Sequence, residues 1–496
     1  MATRCHCRQT SNSHMAQIRV LPLLLAFLVI IPLSSARAAD LHQDLTRLLD
    51  IPCLKEGEVG LRVADVADEK VLFDSGGEKL LIPASNVKLV LAAAALSALG
   101  PTYSFPTEIL SDRPPSAAGA LSGNLYLKGY GDPVLVSEQL WLLARALKHL
   151  GISEIRNGLI ADDSTMLRDP LPYEWNPEEV SRAYTAKPGA LSLNFNTVLV
   201  TVEPAREKGA PPRVQIDPDS THLAIDNKAT TALPGTGSPL RIRVLASDHR
   251  EILQVRGSVS LGAARVSLYR SVDQPALYTA RVFAKFLREV GISLKGVVRG
   301  GTAPPGAHLL YTHRSKPLSL IIQDMNKWSN DFIAEQLLRT LGRELYGSPG
   351  TREKGLRALR DYMAGIGIEA DSYQLQDGSG LSRENRFSAA ELVSVLQAAV
   401  NNSPWQAEYM VSLGLLGLDG VVERRFSASP ARGLLRVKTG FLQGVRALSG
   451  YGKSVEGRLL AFSFLWNGSS CSSGDLDGVQ ADLAVILSGH RQLRFR

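Results

Sequence analysis

The order of the strand-like and helical segments limits the fold of this chain more than any other feature. Near the start, "EVGLRVADVAD" and "EKVLFDSG" have the pattern of a β-hairpin across a charged turn. Near the end, three consecutive strand candidates, "GLLRVKTGF", "VRALSGYGKS" and "GRLLAFSFLWNG", precede the helical segment "GVQADLAVILSGHRQL". Helical segments lie beside both groups. This order predicts an α+β fold in which both parts of the chain build one antiparallel sheet with helices packed on it.

The middle of the chain has a different texture. From residue 105 to 306, short alternating runs such as "GNLYLKGYG" and "ILQVRGSVSLG" are separated by Pro- and Gly-rich turns, with two helical segments among them. We therefore expect β-rich accessory domains at 105–306, inserted between a first part at 39–104 and a second part at 307–496. The 496 residues, 45% of them hydrophobic, are enough for about three domains.

The N-terminal segment has the pattern of an export signal. Arg19 precedes the apolar run "VLPLLLAFLVIIPL", and Ala36 and Ala38 place small residues at the −3 and −1 positions of a cleavage site. This pattern predicts a signal peptide at 1–38 and a periplasmic mature protein. The alternative is an uncleaved anchor, but the run is short for a bilayer span. No later run is long and apolar enough to span a membrane, so we expect at most a peripheral membrane association.

Composition argues against several other classes of protein. The formal net charge of +7 falls to +3 without residues 1–38, because 51 basic and 48 acidic residues remain. No dense Lys/Arg run indicates a nucleic-acid surface. The nine histidines are scattered without an HExxH pattern, and no cluster has zinc-ligand spacing. We expect no nucleic-acid partner, no metal and no cofactor.

The stretch "PASNVKL" raises a question about Ser85, which precedes the Ala- and Leu-rich helical run "LVLAAAALSAL". In one interpretation Ser85 caps the helix, since a serine hydroxyl satisfies a free backbone N–H. In the other, Ser85 is a nucleophile and Lys88, one helical turn on, is its base. A lysine base must be neutral, which requires burial or a second cation nearby. The stretch alone does not decide between them.

Two further motifs bear on this choice. "VKTGF" places Lys438, Thr439 and Gly440 on a candidate strand, where the lysine is suited to bind a carboxylate and to favour a neutral Lys88. "MNKWSND" offers Ser329 as a second hydroxyl between two helical segments, with a helix cap as the alternative role. The three motifs SxxK, SxN-like and KTG are together far more specific than any one of them.

With these motifs the chain resembles the class C low-molecular-mass penicillin-binding proteins, the D-Ala-D-Ala carboxypeptidase/endopeptidases. The resemblance extends over most of the mature length. Further stretches similar to that family are "LYLKGYGDPVL", "LIADDS", "LSLNFNTVLVTVEP", "QDGSGLSREN", "GLDGVVERR" and "KTGFLQGVRALSGY". The resemblance implies a β-lactamase/transpeptidase-like domain with accessory domains inserted between the first two motifs.

Carried over by position, the resemblance implies a role for each motif residue. Ser85 becomes the acylated nucleophile, Lys88 its general base and Ser329 a proton-shuttling serine. The substrate-binding residues are Lys438, Thr439, Gly440, Asn330 and Asp331, and the oxyanion hole consists of the backbone N–H groups of Ser85 and Phe441.

Two positions depart from the family pattern. The second motif usually reads Ser-x-Asn, whereas here Asp331 takes the place of the asparagine. A carboxylate there favours the charged form of Lys88 and weakens it as a base. Phe441 stands where a small hydroxyl residue is usual, so one side-chain contact to the substrate is lost.

Two cysteines, Cys53 and Cys471, remain after the signal peptide. Two cysteines in an exported protein are only weak support for a disulfide. The family fold adds a reason, because its first strand neighbours its last strand and would bring these residues together. The resemblance therefore implies a Cys53–Cys471 disulfide.

The function implied is that of an exported serine DD-peptidase acting on peptidoglycan stem peptides. It would cleave D-Ala-D-Ala ends as a carboxypeptidase, D-Ala–meso-diaminopimelate cross-links as an endopeptidase, or both, and β-lactams would inhibit it covalently. Two alternatives remain at this point. One is a β-lactamase or esterase on the same fold, and the other is a wall-binding scaffold with weak catalysis, which Asp331 keeps open.

Overall fold

The computed structural model describes residues 33–489 except 168–181, 247–249, 402 and 455, with side chains from residue 41 onward. Most of the expected signal peptide, residues 1–32, lies outside the described residues. The expected cleavage point after Ala38 falls within the first described helix, Leu33–Leu49.

The helices of the described residues carry the labels α1 to α11 in chain order. They are α1 Leu33–Leu49, α2 Pro52–Lys55, α3 Val87–Leu99, α4 Ser137–His149, α5 Pro275–Glu289, α6 Leu318–Lys327, α7 Asp331–Tyr346, α8 Arg352–Gly365, α9 Ala389–Val400, α10 Gln406–Ser412 and α11 Ser473–Leu487.

The strands carry the labels β1 to β22. They are β1 Glu58–Asp65, β2 Val71–Ser75, β3 Pro106–Ser111, β4 Ala120–Leu121, β5 Leu125–Gly129, β6 Glu154–Ile155, β7 Leu159–Asp162, β8 Thr197–Glu203, β9 Arg213–Asp217, β10 Leu223–Asn227, β11 Thr230–Ala232, β12 Arg241–Leu245, β13 Glu251–Arg256, β14 Ser258–Ser260, β15 Val266–Ser271, β16 Ser293–Leu294, β17 Val298–Gly300, β18 His308–Arg314, β19 Gly414–Leu415, β20 Arg436–Leu442, β21 Val445–Lys453 and β22 Leu459–Asn467.

A six-stranded antiparallel sheet joins the two parts of the chain. Its order is β19-β20-β21-β22-β1-β2, and the hairpin β1–β2 pairs with β22 along eight residues of β1. The α+β class and the sheet shared by both parts are therefore confirmed. Cys53 and Cys471 form a disulfide beside this β1–β22 pair, with their Cα atoms 5.0 Å apart.

The sheet is buried on both faces. On one face α9 packs against β1, β21 and β22, and α3, α6, α7, α8 and α10 join the same core, which includes Leu91, Ile333 and Leu396. On the other face α1 and α11 pack against it through Leu45, Leu483 and their neighbours. The strand β22 is buried along its middle because side chains alternate between two apolar layers. This arrangement holds the strand with the KTG motif, β20, beside the N-terminus of α3.

In its described residues, the β-rich middle section builds five smaller sheets around its own core, together with α4 and α5. The largest has the order β17-β7-β5-β3-β18 and contains parallel pairs, because α4 connects β5 to β7 and α5 precedes β17. The expected insert ended at residue 306, but β18 pairs with β3, so this sheet extends to Arg314. This pairing joins residues about 200 positions apart, so the sequence around residue 306 alone does not show that the sheet continues beyond it.

The β-rich middle section contacts α7, the helix that follows the second motif. The Gln336 side chain accepts a hydrogen bond from the backbone N–H of Gly189 (2.9 Å) and donates one to its carbonyl (2.8 Å). Arg343, two turns later, donates to the carbonyl of Tyr130. The β-rich middle section therefore supports the helix on which Asp331 lies. In the described residues, no helix is both long and apolar enough to cross a membrane.

Asp132, in the loop between β5 and α4, is a buried carboxylate that makes the stability of the fold depend on pH. Its Oδ1 accepts from the N–H of Val134 (2.9 Å), its Oδ2 has no hydrogen-bond partner in the described part of the chain, and His313 Nε2 lies 4.0 Å from Oδ2. Burial raises the pKa of Asp132 to about 7 and lowers the pKa of His313. Because the folded state holds this carboxyl neutral, its contribution to stability is present below pH 4 and is lost as pH rises through 7.

We expect Asp132→Asn to raise the free energy of unfolding by about 2–4 kcal/mol at pH 8 and to change it little at pH 4. The amide oxygen keeps the bond to Val134 and carries no charge. Urea denaturation of both proteins at the two pH values measures this difference. An equal difference at pH 4 and pH 8 would contradict the assignment of the effect to ionisation.

Candidate active site

Ser85 lies on a tight turn that precedes α3. Residues Ala84–Asn86 form a single 3₁₀ turn, Ala84 has a positive φ of 46°, and α3 begins at Val87 with Asn86 at the N-cap position. No side chain caps this helix start, so the interpretation of Ser85 as a helix cap is wrong. Asn86 instead ties the turn to the sheet by donating to Ser449 Oγ (2.6 Å). The turn presents the half-buried Ser85 hydroxyl at the end of a rigid helix.

Lys88, the second residue of α3, is fully buried and lies one turn after Ser85. Its Nζ donates to Ser85 Oγ (3.1 Å), to Asp331 Oδ1 (2.7 Å) and, in a short contact, to the carbonyl of Ser379. Three acceptors match the three N–H groups of an ammonium. The Asp331 carboxylate therefore forms an ion pair with Lys88 inside the site.

The second motif, Ser329-Asn330-Asp331, brings Asp331 against Lys88 and Ser329 against Lys438. Ser329 has a left-handed backbone with φ of 53°, which an L-residue adopts only when the surrounding structure holds it. The next residue, Asn330, caps α7 by accepting from the N–H of Ile333 (3.0 Å). The alternative of a helix cap thus applies to Asn330 rather than to Ser329, and the structure does not place the Asn330 side chain on Lys88. Asp331 is the residue that reaches the lysine.

Lys438 lies on β20 and is almost completely buried. Its Nζ donates to Ser329 Oγ (2.9 Å) and to the carbonyl of Thr439 (2.7 Å), and no ion pair involves it among the described residues. Burial and the positive charge of Lys88 lower the pKa of Lys438 well below its usual range, while Asp331 acts in the opposite direction. Of these two buried lysines, Lys88 is the one that the Asp331 carboxylate binds in the described structure.

Gly440 lets β20 approach the turn that carries Ser85. A Cβ at this position would lie 2.7 Å from the carbonyl oxygen of Pro83 and 3.1 Å from the Cβ of Ala84, so any side chain would push the strand away. Phe441, the next residue, is 62% exposed, and its ring lies 4.0 Å from the guanidinium carbon of Arg446. The Phe441 side chain therefore contacts Arg446 on the neighbouring strand and is otherwise largely exposed.

The unpaired edge of β20 borders the site. Strand β19 pairs only with Arg436 and Val437, so in the described structure no strand pairs with residues 438–442 on that side. This edge is therefore open to an extended peptide, which would lie beside the turn that carries Ser85. The arrangement is suited to acyl transfer from a peptide with a terminal carboxylate.

Sequence reasoning missed two contributors to the site. One is the backbone carbonyl of Ser379, which has no side-chain signal, although it lies in the stretch "QDGSGLSREN" that is similar to the family. The other is Asn86, whose amide fixes the turn and which lies between the two residues of the SxxK motif. In the described residues, no group of three His, Cys, Asp or Glu side chains is arranged to hold a metal ion.

Comparisons with known proteins give a consistent picture. The D-Ala-D-Ala carboxypeptidase 3 (S13) family matches residues 41–489. A D-alanyl-D-alanine carboxypeptidase of Actinomadura sp. (strain R39) is 35% identical over 452 residues, which cover 88% of this chain and 82% of that protein.

A solved structure is similar over nearly the whole described chain. The crystal structure of penicillin binding protein 4 (dacB) from Haemophilus influenzae has a TM-score of 0.80 and 26% identity, covering 90% of this chain and 99% of that one. The same protein complexed with a novel β-lactam has a TM-score of 0.75 at 25% identity, covering 90% of this chain and 100% of that one.

Proposed function

The chain belongs to the D-Ala-D-Ala carboxypeptidase 3 (S13) family and is a serine DD-carboxypeptidase, and we propose that Ser85 is the serine that becomes acylated. The observation that carries this proposal is the convergence of the three motifs. Lys88 Nζ lies 3.1 Å from Ser85 Oγ, and Lys438 Nζ lies 2.9 Å from Ser329 Oγ. A nucleophile within reach of a base, beside a second hydroxyl, is the arrangement that acyl transfer requires.

The reaction proceeds in two halves. Once Lys88 has lost its proton, it accepts the Ser85 proton while Ser85 Oγ attacks the carbonyl between two D-amino acids. The C–N bond then breaks, and the leaving amine takes a proton that Ser329 relays from Lys88. Water repeats the sequence on the acyl-enzyme, breaks the ester and restores the Ser85 hydroxyl.

The KTG strand binds the other end of the scissile bond. We assign the terminal carboxylate of the substrate to Lys438 and Thr439, because Lys438 is buried without a carboxylate of its own among the described residues. The oxyanion that forms during attack is assigned to the backbone N–H groups of Ser85 and Phe441. Gly440 supports this assignment because it permits close contact between β20 and the Ser85 turn.

Peptidoglycan stem peptides are the proposed substrates, and β-lactams are the proposed covalent inhibitors. The carboxypeptidase names of the relatives and the β-lactam complex of the Haemophilus protein support this proposal. We extend it to cleavage of D-Ala–meso-diaminopimelate cross-links and to a periplasmic location, for which the N-terminal apolar run is the support. The catalytic domain would consist of residues 39–104 and the part after the insert.

Release of D-alanine from defined peptides tests this function. A pentapeptide ending in D-Ala-D-Ala and one ending in D-Ala-L-Ala are incubated with the protein, and a cross-linked dimer is assayed in parallel. We expect free D-alanine from the first peptide, little reaction with the second, and inhibition by benzylpenicillin. If benzylpenicillin is destroyed while neither peptide is cleaved, the chain is a β-lactamase. If nothing is cleaved, it is a scaffold.

We expect Asp331→Asn to raise the rate of acylation by benzylpenicillin about tenfold at pH 7. The amide keeps a hydrogen-bond acceptor for Lys88 but removes the negative charge that pairs with its Nζ. Stopped-flow or quench measurements of adduct formation give the rate. Asp324→Asn, which removes the exposed partner of Lys316, is the matched control and should leave the rate unchanged. A slower Asp331→Asn enzyme would show that the carboxylate itself assists catalysis.

A further inference from the structure

Three charged side chains follow one another along one face of α7. Asp331, Glu335 and Arg339 are spaced by four residues, so they lie one above the other at successive turns. Asp331 contacts Lys88 directly. Glu335 has no hydrogen bond to Lys88, although it lies one turn further along the same face and is almost completely buried.

Glu335 binds a loop rather than the lysine. Its Oε1 accepts from the backbone N–H groups of Gly378 (3.0 Å) and Ser379 (3.1 Å), and its Oε2 accepts from Arg339 (2.9 Å). Both side chains of the Glu335–Arg339 pair are only 3% exposed. A buried carboxylate is costly unless it is paired and hydrogen-bonded, and here both oxygens are used.

A second buried carboxylate holds the same loop from within. Asp377 Oδ1 accepts from the N–H of Gly380 (2.7 Å) and from Asn385 Nδ2 (2.9 Å), and its Oδ2 accepts from the N–H of Ser382 (2.7 Å). Residues 377–382, which we call the acid-held loop, thus have four backbone N–H groups fixed by two carboxylates. Glu335 fixes two of them, and Asp377 fixes the other two.

The acid-held loop touches both members of the SxxK motif. The carbonyl of Ser379 is the third acceptor of Lys88 Nζ. Gly380 has a positive φ of 83°, and a Cβ there would lie 2.0 Å from the carbonyl oxygen of Ala84 and 2.9 Å from the N–H nitrogen of Ser85. The loop therefore packs directly against the backbone of the nucleophile.

We propose that Glu335 is a positioning residue for the reaction, which acts by aiming the carbonyl of Ser379 at Lys88. This inference rests on the proposed function of Ser85 and Lys88. With the carbonyl in place, the ammonium or amine of Lys88 has a fixed direction toward Ser85 Oγ. Without it, one of three acceptors is lost, and the flexible lysine side chain is free to turn away from the hydroxyl.

Two variants perturb the loop in different ways. Glu335→Gln keeps the shape of the side chain but removes its charge and places an amide against Arg339. Gly380→Ala keeps both carboxylates but forces the loop away from Ala84. Glu391→Gln is the matched control, because Glu391 is also a buried carboxylate that accepts from a backbone N–H (Ser388, 2.7 Å) and from a hydroxyl (Ser372), in a different part of the domain.

The measurement is the dependence of the acylation rate on benzylpenicillin concentration, followed by intact mass at pH 7.5. Burial and the negative charge of Glu335 raise the pKa of Asp377 to about 6, so its carboxyl is mostly ionised at this pH. The limiting rate reports the chemistry at Ser85, and the half-saturating concentration reports binding before acylation. Thermal unfolding of each variant gives the folded fraction.

We expect the limiting rate to fall about 10- to 100-fold in both loop variants, with a half-saturating concentration within about threefold of wild type. Glu391→Gln should change neither. The inference is overturned if the loop variants keep the limiting rate of the control. It is also overturned if their slower acylation is fully explained by a higher half-saturating concentration or by a smaller folded fraction. A wild-type protein without any adduct would overturn the proposed function itself and this inference with it.

Discussion

The Ser85→Ala variant is expected to form no benzylpenicillin adduct and to release D-alanine at least about 10⁴-fold more slowly than the wild type. Without the hydroxyl no acyl-enzyme forms, and the remaining groups only position the substrate. Because Ser85 caps no helix and accepts a single hydrogen bond, from Lys88, the fold should tolerate the change. Intact mass and D-alanine release measure the two effects.

Ser394→Ala is the matched control for this variant. Ser394 is a half-buried serine on α9 whose hydroxyl donates only to a backbone carbonyl in its own helix. It should retain both the adduct and the peptidase activity. Full acylation of Ser85→Ala would mean that another residue is the nucleophile.

Lys88→Met is expected to lower the acylation rate about 10³-fold, within the range for loss of a general base. The substituted side chain has a similar length but neither accepts a proton nor binds Asp331. We also expect a loss of stability of about 1–3 kcal/mol, because the half-buried carboxylate is left without its partner. Rate and stability are measured by adduct formation and by urea denaturation.

The double variant Lys88→Met/Asp331→Asn separates these two effects. Removing the orphaned carboxylate should restore most of the stability, whereas the acylation rate should stay low. If the rate recovers together with the stability, Lys88 has a structural role and is not the base.

The parts of the site that consist of side chains could be predicted from the sequence. Ser85, Lys88, Ser329 and Lys438 are each found in a short motif, and their order along the chain is informative in itself. The contact between Asp331 and Lys88 also followed from one unusual residue in the second motif.

The features that could not be predicted depend on the direction of backbone groups and on strand pairing between residues far apart in sequence. Every residue type has a backbone carbonyl, so neither composition nor spacing identifies the one of Ser379 as part of the site. The orientation of Phe441 depends on the register of β20 against β21, where it lies opposite Arg446. The end of the β-rich section depends on the pairing of its last strand, β18, with its first strand, β3.

The helix starts show a similar limit. Both Ser85 and Ser329 have the residue type of an N-cap, but in each case an asparagine takes the cap position, one residue after the serine. Positive φ angles just before Ser85, at Ala84, and at Ser329 itself accompany this shift. Helix propensity and capping preference describe the helix, whereas the turn before it is set by packing against the sheet.

The most direct test of the account is to locate the benzylpenicillin adduct within the wild-type protein. The acylated protein is digested, and tandem mass spectrometry identifies the peptide and residue that carry the added mass. We expect one adduct per chain, on Ser85. An adduct on another residue, or rapid loss of intact benzylpenicillin without any adduct, would contradict the assignment of Ser85 as the nucleophile of a slowly deacylating DD-peptidase.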